Sequence, residues 1–352
     1  MILDTSPPPT LSGLWPGLVA TPLLELSELA RRCNVRRILV KDESARPLGN
    51  FKSLGGILAS LRALARATGA PSVEALGGFR AQTAEWSLVC ASDGNHGLAV
   101  AAAAAFAGTR ADVYLHEGVP EARARRLANY GARLFRIPGT YDDAVDAAKV
   151  AAQYPGRLLI ADTSEDAQDR VSADILEGYQ HLIAELAGQI EGRFDIKLSH
   201  AFVQAGVGGL AAAVAAGTAR YLGHAPQVVV VEPESAPCVA AALASGHAQR
   251  VPGDLLTQAD MLSCGQASEP ALRILLDHGA RSLAVDEAAL AEAPQELVRH
   301  VGPVTTPSGA AGLAGLLKAC GDPGLARDLG LNARSEILLI VTEGPAPAGE
   351  VG

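Results

Sequence analysis

The sequence predicts an α/β protein with two domains, in each of which helices flank a mostly parallel, twisted sheet. Short runs rich in β-branched residues alternate with longer helical runs along most of the 352 residues. Several short runs, such as VVVV and ILLIV, are apolar throughout, which is typical of parallel strands covered by helices on both faces. The length of the chain favours two lobes rather than one.

The predicted elements follow one another in a regular order of strand and helix. The first strand is 36–43, and the helix after it is 53–69, which Gly69 ends. Further strands are predicted at 85–92, 111–117, 132–139, 156–162, 199–206, 226–234 and 335–344. Further helices are predicted at 97–107, 120–131, 140–155, 172–190, 210–223 and 308–320. Repeated β-α-β units imply right-handed crossovers, and ligands of such sheets bind at the carboxyl ends of the strands.

Composition and charge favour a small-molecule enzyme. The net charge is −9 and no lysine- or arginine-rich run stands out, so nucleic acids and anionic membranes have no basic surface to bind. No apolar run reaches transmembrane length without glycine, proline or a charge, and we expect no signal peptide. The five scattered cysteines indicate reduced thiols in the cytoplasm, and the histidine spacing predicts no metal site.

Lys52 lies in the stretch LGNFKSLGG, between Phe51 and Ser53. We expect this tight, apolar setting to remove water from the amine and lower its pKa, as a lysine that forms a Schiff base requires. A lysine near a helix start is more commonly a solvated amine. Lys52 alone therefore does not identify a site.

A glycine-rich loop, AGVGGL, joins the strand at 199–206 to the helix that follows it. Gly206, Gly208 and Gly209 let backbone N–H groups converge on an anion, and the helix dipole adds positive potential there. The same residues also fit the GxGxxA pattern of a nicotinamide-dinucleotide fold, with Glu232 after the next strand. A tight turn without a ligand is a third interpretation. The loop by itself predicts a phosphate but does not say which one.

The stretch SDGNHG follows the strand at 85–92 and precedes an alanine-rich helix. Serine, aspartate and asparagine are good N-cap residues, and capping explains one of the polar side chains. The whole cluster offers several N–H donors and side-chain groups at a helix N-terminus, where a carboxylate binds well. We therefore expect Ser92, Asp93, Gly94 and His96 to contact a substrate. We expect His96 to be structural, or to donate a hydrogen bond on the phosphate side, rather than to act as a base.

These motifs, in the order TPLLELSELA, KDES, LGNFKSLGG, SDGNHG, AGVGGL and IVTEG, resemble the pyridoxal-phosphate enzymes of fold type II. Tryptophan synthase β, threonine dehydratase and cysteine synthase belong to this group. The resemblance implies a large cofactor-binding domain formed by 1–83 and 166–352, and a small mobile domain formed by 84–165. It also implies a homodimer.

The resemblance assigns a role to several residues. Lys52 would carry the cofactor covalently, Asn95 would bind the 3-oxygen of its ring, and Thr342 would face the pyridine nitrogen. The phosphate would be held by backbone N–H groups of Gly206, Val207, Gly208, Gly209 and Leu210. Once free, Lys52, or Asp93 on the other face, would remove the α-proton of an amino-acid substrate.

Within the group, FKSLGG and SDGNHG resemble the 2,3-diaminopropionate ammonia-lyases. This implies elimination of ammonia from diaminopropionate or a similar β-substituted amino acid, giving pyruvate and ammonia. Asp93 is a base, a group that recognises the β-amine, or an N-cap without a chemical role. Asp162 either binds the β-ammonium group or caps a helix. Cys264 either lines the site or is a packed thiol.

Two departures from the family pattern fall near the expected substrate pocket: the segment 164–169 and Pro307. A threonine or serine dehydratase with the same cofactor is therefore an alternative function. A nicotinamide-dependent dehydrogenase is a more distant alternative, because it leaves Lys52 and SDGNHG without a role. A binding or regulatory protein that has lost activity is a fourth possibility, against which the intact lysine and glycine loop count.

Overall fold

The computed structural model describes residues 18–92, 94–193 and 195–345, and these form two sheets with helices around them. Ten strands are described: β1 Leu23–Glu25, β2 Arg37–Asp42, β3 Ser87–Ala91, β4 Arg110–His116, β5 Arg133–Ile137, β6 Arg157–Leu159, β7 His200–Gln204, β8 Gln227–Pro233, β9 Arg281–Val285 and β10 Glu336–Val341. None of the α-helices within those ranges is long and apolar enough to cross a membrane.

The α-helices alternate with these strands along most of the chain. The first seven are α1 Ser27–Arg32, α2 Lys52–Thr68, α3 Arg80–Thr83, α4 Asn95–Ala107, α5 Glu121–Asn129, α6 Tyr141–Ala152 and α7 Arg170–Ile190. The others are α8 Gly209–Tyr221, α9 Cys238–Ser245, α10 Glu269–Asp277, α11 Glu287–Arg299, α12 Pro307–Gly321 and α13 Pro323–Leu329.

The larger sheet has six strands in the order β1-β2-β10-β7-β8-β9, and the smaller has four in the order β5-β4-β3-β6. All neighbouring strands run parallel except β1, which pairs antiparallel with β2 at the edge. The prediction of mostly parallel sheets is confirmed. The four strands of the smaller sheet lie between residues 87 and 159, although their assignment to a separate mobile domain 84–165 stays a prediction.

Every predicted helix and strand is present, with ends within a few residues of those expected. The elements that sequence analysis did not predict are β1, α1, α3, α9, α10, α11, α13 and β9. These are mostly short or amphipathic, and β9 has two exposed residues at its start, so it lacks the apolar run that identifies a central strand.

The close approach of α2 and α7 brings together two walls of the candidate active site described below. A Cβ atom on Gly55 would lie 2.5 Å from Cε1 of Tyr179 and 2.6 Å from the carbonyl oxygen of Ile175. A Cβ atom on Gly178 would lie 2.6 Å from Cα of Gly55. Any side chain at either position would push the helices apart, so both contacts need glycine.

A buried group of charges connects β2 to α7 below the larger sheet. Lys41 Nζ donates to Glu185 Oε2 over 2.8 Å, and Arg46 donates to Glu43 and to Glu185, each over 2.6 Å. The side chains of Lys41, Glu43 and Arg46 have no exposed surface. Because these charges neutralise one another, they hold β2 and the segment that leads from it to Lys52 in one position.

Candidate active site

A cleft of about 950 Å³, a volume that includes the open solvent at its mouth, lies at the carboxyl ends of strands from both sheets. Its lining includes every described residue that sequence analysis predicted for the site: Lys52, Ser92, Gly94, Asn95, His96, Asp162, Gly206, Val207, Gly208, Gly209, Leu210 and Thr342. Cys264 lines it too. Asp93 lies outside the described residues. Segments more than 100 residues apart in the chain therefore meet in one place, as the topology of parallel sheets requires.

Lys52 is the first residue of α2, and its amine faces a carboxylate. Lys52 Nζ donates a hydrogen bond to Asp162 Oδ2 over 2.5 Å. Burial opposes the charged form of the amine, but the charge and hydrogen bond of Asp162, together with Tyr179 and Cys264, outweigh it and raise the pKa of Lys52. The prediction that the pKa of Lys52 would be lowered is therefore wrong, because sequence analysis did not foresee a carboxylate beside the amine.

Asp162 follows β6 and is the carboxylate of this pair. Burial opposes its ionisation, but the positive charge of Lys52 lowers the pKa of Asp162 to about 2. Its side chain is 10% exposed, so the negative charge faces the cleft rather than bulk solvent. A cationic group that entered the cleft in place of the Lys52 ammonium would be attracted by the Asp162 carboxylate.

The glycine loop between β7 and α8 forms a cradle for an anion. Gly208 has a φ of +95°, in the left-handed region that favours glycine, and α8 begins at the next residue. A Cβ atom on Gly206 would lie 2.9 Å from Cys264 Sγ, so a side chain there would collide with the wall of the cleft. The N–H groups of the first helical turn have no acceptor within the helix and are available to a phosphate.

The carboxylate of Glu232 is not free to bind the ribose of a dinucleotide. Its two carboxylate oxygens accept hydrogen bonds from the backbone N–H groups of Val239 over 2.7 Å and Ala240 over 2.8 Å. Glu232 is 1% exposed, and burial raises its pKa to about 7. It therefore caps the N-terminus of α9. The dinucleotide interpretation of the glycine loop needed this carboxylate free, and the structure does not support it.

Ser92 and His96 hold the start of α4. Ser92 Oγ accepts hydrogen bonds from the N–H groups of Gly94 over 3.1 Å and Gly97 over 2.8 Å, which is the capping role. His96 Nε2 lies 2.7 Å from the carbonyl oxygen of Ile160, so this nitrogen carries the hydrogen. Burial lowers the pKa of His96, which keeps the ring neutral. Direct contact of either side chain with a substrate stays a prediction.

Asn95 is held by a carboxylate that sequence analysis did not assign to the site. Its side-chain amide donates to Glu343 Oε2, and Glu343 Oε1 accepts a second hydrogen bond from Thr306 Oγ1 over 2.6 Å. Burial raises the pKa of Glu343, and the hydrogen bonds from Thr306 and Asn95 offset this only in part. The sequence did carry a signal, because Glu343 follows Thr342 directly in the IVTEG motif.

Thr342 lies at the base of the cleft with its hydroxyl hydrogen available. Gln204 Nε2 donates to Thr342 Oγ1 over 3.1 Å and to the carbonyl oxygen of Gly309 over 2.8 Å. Because a lone pair of the hydroxyl is used in this way, its hydrogen can be donated to a ligand nitrogen. Gln204, like Glu343, is a site residue that sequence analysis missed.

Tyr179 is a third missed residue, on the wall formed by α7. Its ring lies 4.8 Å from that of Phe51, and burial raises the pKa of its hydroxyl. The hydroxyl has no hydrogen-bond partner among the described residues. Only the packing of α7 against α2 brings this side chain to Lys52, so no local pattern in the sequence could have identified it.

The mouth of the cleft is lined by charges and adjoins a second cavity. Arg123 of α5 forms an ion pair with Asp260, which lines the cleft. The second cavity, of about 570 Å³, shares Gly94, Asn95, Met261 and Glu343 with the cleft. Pro307 is the first residue of α12, a position that suits proline, and it leaves the neighbouring Ser308 in the cleft wall.

Pyridoxal phosphate fits the residues of this cleft. The start of α8 offers N–H groups for a phosphate, and Lys52 offers the amine that binds an aldehyde. Polar atoms of Tyr179 and Gln204, buried at the cleft and without a partner in the described ranges, would gain one from a polar ligand. Within the same ranges, no group of three or more His, Cys, Asp or Glu side chains could hold a metal ion.

Comparison with known proteins identifies the class. The family described as Pyridoxal-phosphate dependent enzyme matches residues 14–343, and the chain belongs to this family. Diaminopropionate ammonia-lyase of Salmonella typhimurium is 31% identical over 353 residues, which cover 94% of this chain and 86% of that protein.

Two further relatives bear on fold and activity. The crystal structure of Escherichia coli diaminopropionate ammonia lyase in complex with an aminoacrylate-PLP azomethine reaction intermediate superposes with a TM-score of 0.83. It is 29% identical, and the match covers 95% of this chain and 86% of that one. A probable D-serine dehydratase of Burkholderia thailandensis is 30% identical over 320 residues, covering 85% of this chain and 71% of that protein. The predicted fold type II architecture and cofactor are confirmed.

Proposed function

We propose that the protein eliminates ammonia from 2,3-diaminopropionate or a closely similar β-amino-substituted amino acid. Loss of the α-proton and the β-amine, followed by hydrolysis, gives pyruvate and two molecules of ammonia. The observation that carries the proposal is the Asp162 carboxylate 2.5 Å from the Lys52 amine. A buried anion favours a substrate with a cationic β-substituent, whereas the neutral hydroxyl of serine or threonine gains less from it.

The roles of the side chains follow from their positions. When bound, pyridoxal phosphate supplies the electron sink that makes the α-proton acidic. The N–H groups from Gly206 to Leu210 would hold its phosphate, and the Thr342 hydroxyl would donate to its ring nitrogen. The neutral amine of Lys52 would accept the α-proton. Asp162 then stabilises the resulting ammonium and attracts the β-amine of the substrate.

A spectrum of the purified protein tests the cofactor and its lysine. We expect visible absorbance that borohydride removes, with a mass increase on Lys52. The Lys52→Ala variant is expected to lack the band and to lose activity by at least about 10³-fold, since both attachment and proton transfer depend on this amine. A variant that keeps the band and the borohydride-stable adduct would disprove the assignment of Lys52.

The substrate is tested by measuring pyruvate release from both enantiomers of diaminopropionate, with L-threonine, L-serine and D-serine as comparisons. We expect kcat/KM to be highest for diaminopropionate. A higher value for serine or threonine would instead support the hydroxyamino-acid dehydratase.

Asp93 is assigned to proton transfer by resemblance, as a second base on the face opposite Lys52. If this is correct, Asp93→Asn is expected to lose activity toward one enantiomer of diaminopropionate by about 10²-fold or more and to keep most of it toward the other. Equal losses for both enantiomers would indicate a recognition role, and unchanged activity would leave Asp93 with capping alone.

The assembly and location remain part of this proposal. A homodimer follows from the resemblance, and sedimentation of the purified protein tests it. The cytoplasmic location rests on the five scattered cysteines of the sequence, whose spacing indicates reduced thiols. The small domain 84–165 is proposed to move relative to the rest when a substrate binds.

A further inference from the structure

Glu343 is a buried carboxylate with two side-chain hydrogen bonds and no cation bonded to it among the described residues. Its side chain accepts from Asn95 Nδ2 and from Thr306 Oγ1, and Glu343 as a whole is 7% exposed. It lines both the cleft and the second cavity. A carboxylate in such a position is costly to bury, so a role is to be expected.

The carboxylate dictates which way the Asn95 amide faces. An ionised carboxylate only accepts hydrogen bonds, whereas the end of an asparagine side chain has a donor half and an acceptor half. Asn95 must therefore turn its NH₂ group to Glu343, and the second hydrogen of that group is left for another acceptor. Without the carboxylate, the amide could reverse at little cost.

Glu343 is itself held in place by contacts that do not involve Asn95. Thr306 fixes one carboxylate oxygen, and the hydroxyl of Thr305 donates to the Glu343 carbonyl oxygen over 2.5 Å. Residue 343 also forms a backbone bridge with Asn50, two residues before Lys52. The carboxylate is thus held in a fixed position between the end of β10 and the start of α2.

We propose that Glu343 is a positioning residue that fixes the Asn95 amide with its N–H directed at the ring oxygen of the bound cofactor. This inference rests on the proposed function only through the presence of the cofactor and not through the choice of substrate. It adds to the site a residue that acts on the ligand through another side chain.

The test is a double-mutant cycle read by cofactor binding and by absorbance rather than by turnover. The dissociation constant of pyridoxal phosphate is measured on apo-protein for wild type, Glu343→Gln, Asn95→Ala and the double variant. The ratio of the absorbance bands of each loaded protein is recorded as well. Glutamine has the shape of glutamate but carries a donor, so it removes the constraint on Asn95 without leaving a cavity.

We expect Glu343→Gln to raise the dissociation constant by about 3- to 10-fold, the value of one hydrogen bond, and to change the band ratio. In the Asn95→Ala background, the same change is expected to have no further effect, because the residue through which it acts is gone. Glu121→Gln, which removes an exposed carboxylate that pairs with Arg136 and lines neither the cleft nor the second cavity, serves as the control and is expected to leave both readouts unchanged.

Wild-type affinity and spectrum in Glu343→Gln would overturn the inference, as would an effect of equal size in the Asn95→Ala background. If Glu343→Gln does not fold, Thr306→Val tests the same anchor, with the same expected and contrary results. Failure of the wild-type protein to bind the cofactor would count against the proposed function, so the two failures are distinguishable.

Discussion

At the scale of single residues, the Lys52 amine is charged because of one neighbour. Its side chain is 24% exposed and the Asp162 carboxylate lies 2.5 Å away. A charged amine cannot attack an aldehyde, so the pair slows attachment of the cofactor until the amine loses its proton. The same pair keeps an anion in the cleft for a cationic substrate.

Replacing the carboxylate should therefore make the lysine react faster. In Asp162→Asn, burial remains while the attraction is lost, so the pKa of Lys52 falls. We expect the rate at which apo-protein binds pyridoxal phosphate, followed by absorbance between pH 7 and 10, to reach its midpoint at lower pH. At a pH below that midpoint, the variant should bind the cofactor about tenfold faster than wild type for each pH unit by which the pKa of Lys52 has fallen.

Asp260→Asn is the matched control, because that carboxylate pairs with Arg123 rather than with Lys52. An unchanged pH profile in Asp162→Asn would show that Asp162 does not set the charge of the amine.

The residues that sequence analysis identified and those it missed differ in a physical way. Lys52, Asn95 and the glycine loop belong to local patterns that join a turn to a helix start, and such patterns can be read along the chain. Glu343 meets Asn95 across 248 positions, and Tyr179 reaches the cleft through the packing of two helices. Partners of this kind are set by tertiary structure alone.

At the scale of elements, the contact between α2 and α7 determines how far apart these two helices of the cleft wall lie. Gly55 and Gly178 face one another so closely that neither can carry a side chain without displacing backbone. Lys52 stands at the start of one of these helices and Tyr179 follows Gly178 on the other. The separation of these two side chains therefore depends on the glycine contact.

Gly55→Ala should lower the free energy of unfolding by about 1–3 kcal/mol, because its Cβ would lie 2.6 Å from the Ile175 carbonyl oxygen. Gly188→Ala, also within α7, is the control: a Cβ there meets nothing within 4 Å, and we expect a gain of up to about 1 kcal/mol. Urea unfolding of the apo-proteins measures both. Equal stability of the two variants would mean that the helices can separate freely.

Sequence patterns identified the central strands better than the edges. β8 and β10 are buried along their length and read as apolar runs, whereas β1 has three residues and β9 begins exposed. Of the helices after β8, only α12 was predicted, and the missed α11 contains Pro294, a residue that argues against a helix in the sequence. Packing of α11 against α12 outweighs that local preference.

At the scale of the whole molecule, the buried charges below the larger sheet connect the N-terminal strands to α7. Glu185 accepts from Lys41 and from Arg46, and its side chain is 9% exposed. Burial opposes its ionisation, but hydrogen bonds from His181 and Arg46 lower the pKa of Glu185. The molecule therefore depends on this carboxylate being charged.

Glu185→Gln should lower the free energy of unfolding at pH 7 by about 3–5 kcal/mol, because it leaves the buried Lys41 without its carboxylate and removes one of the two carboxylates that pair with Arg46. A carboxyl whose pKa is lowered by folding contributes stability above its ordinary pKa, and that contribution is lost as the pH falls. The difference from wild type should thus be largest above about pH 4.5 and shrink in more acidic buffer.

Urea unfolding at several pH values measures this dependence, with Glu121→Gln as the control. Glu121 pairs with Arg136 on the surface, where both side chains are exposed, and we expect a loss below about 1 kcal/mol. A loss for Glu185→Gln that is independent of pH would show that the charge of Glu185 is not the cause.

Met261 lines both the cleft and the second cavity. Gly94 on the other side of this thioether has no side chain, and a Cβ there would already lie 3.3 Å from Cε of Met261. Shortening residue 261 would merge the two spaces while leaving Lys52 and the glycine loop untouched. The size of amino acid that the protein accepts can therefore diverge in evolution, or be redesigned, without any change to its reaction.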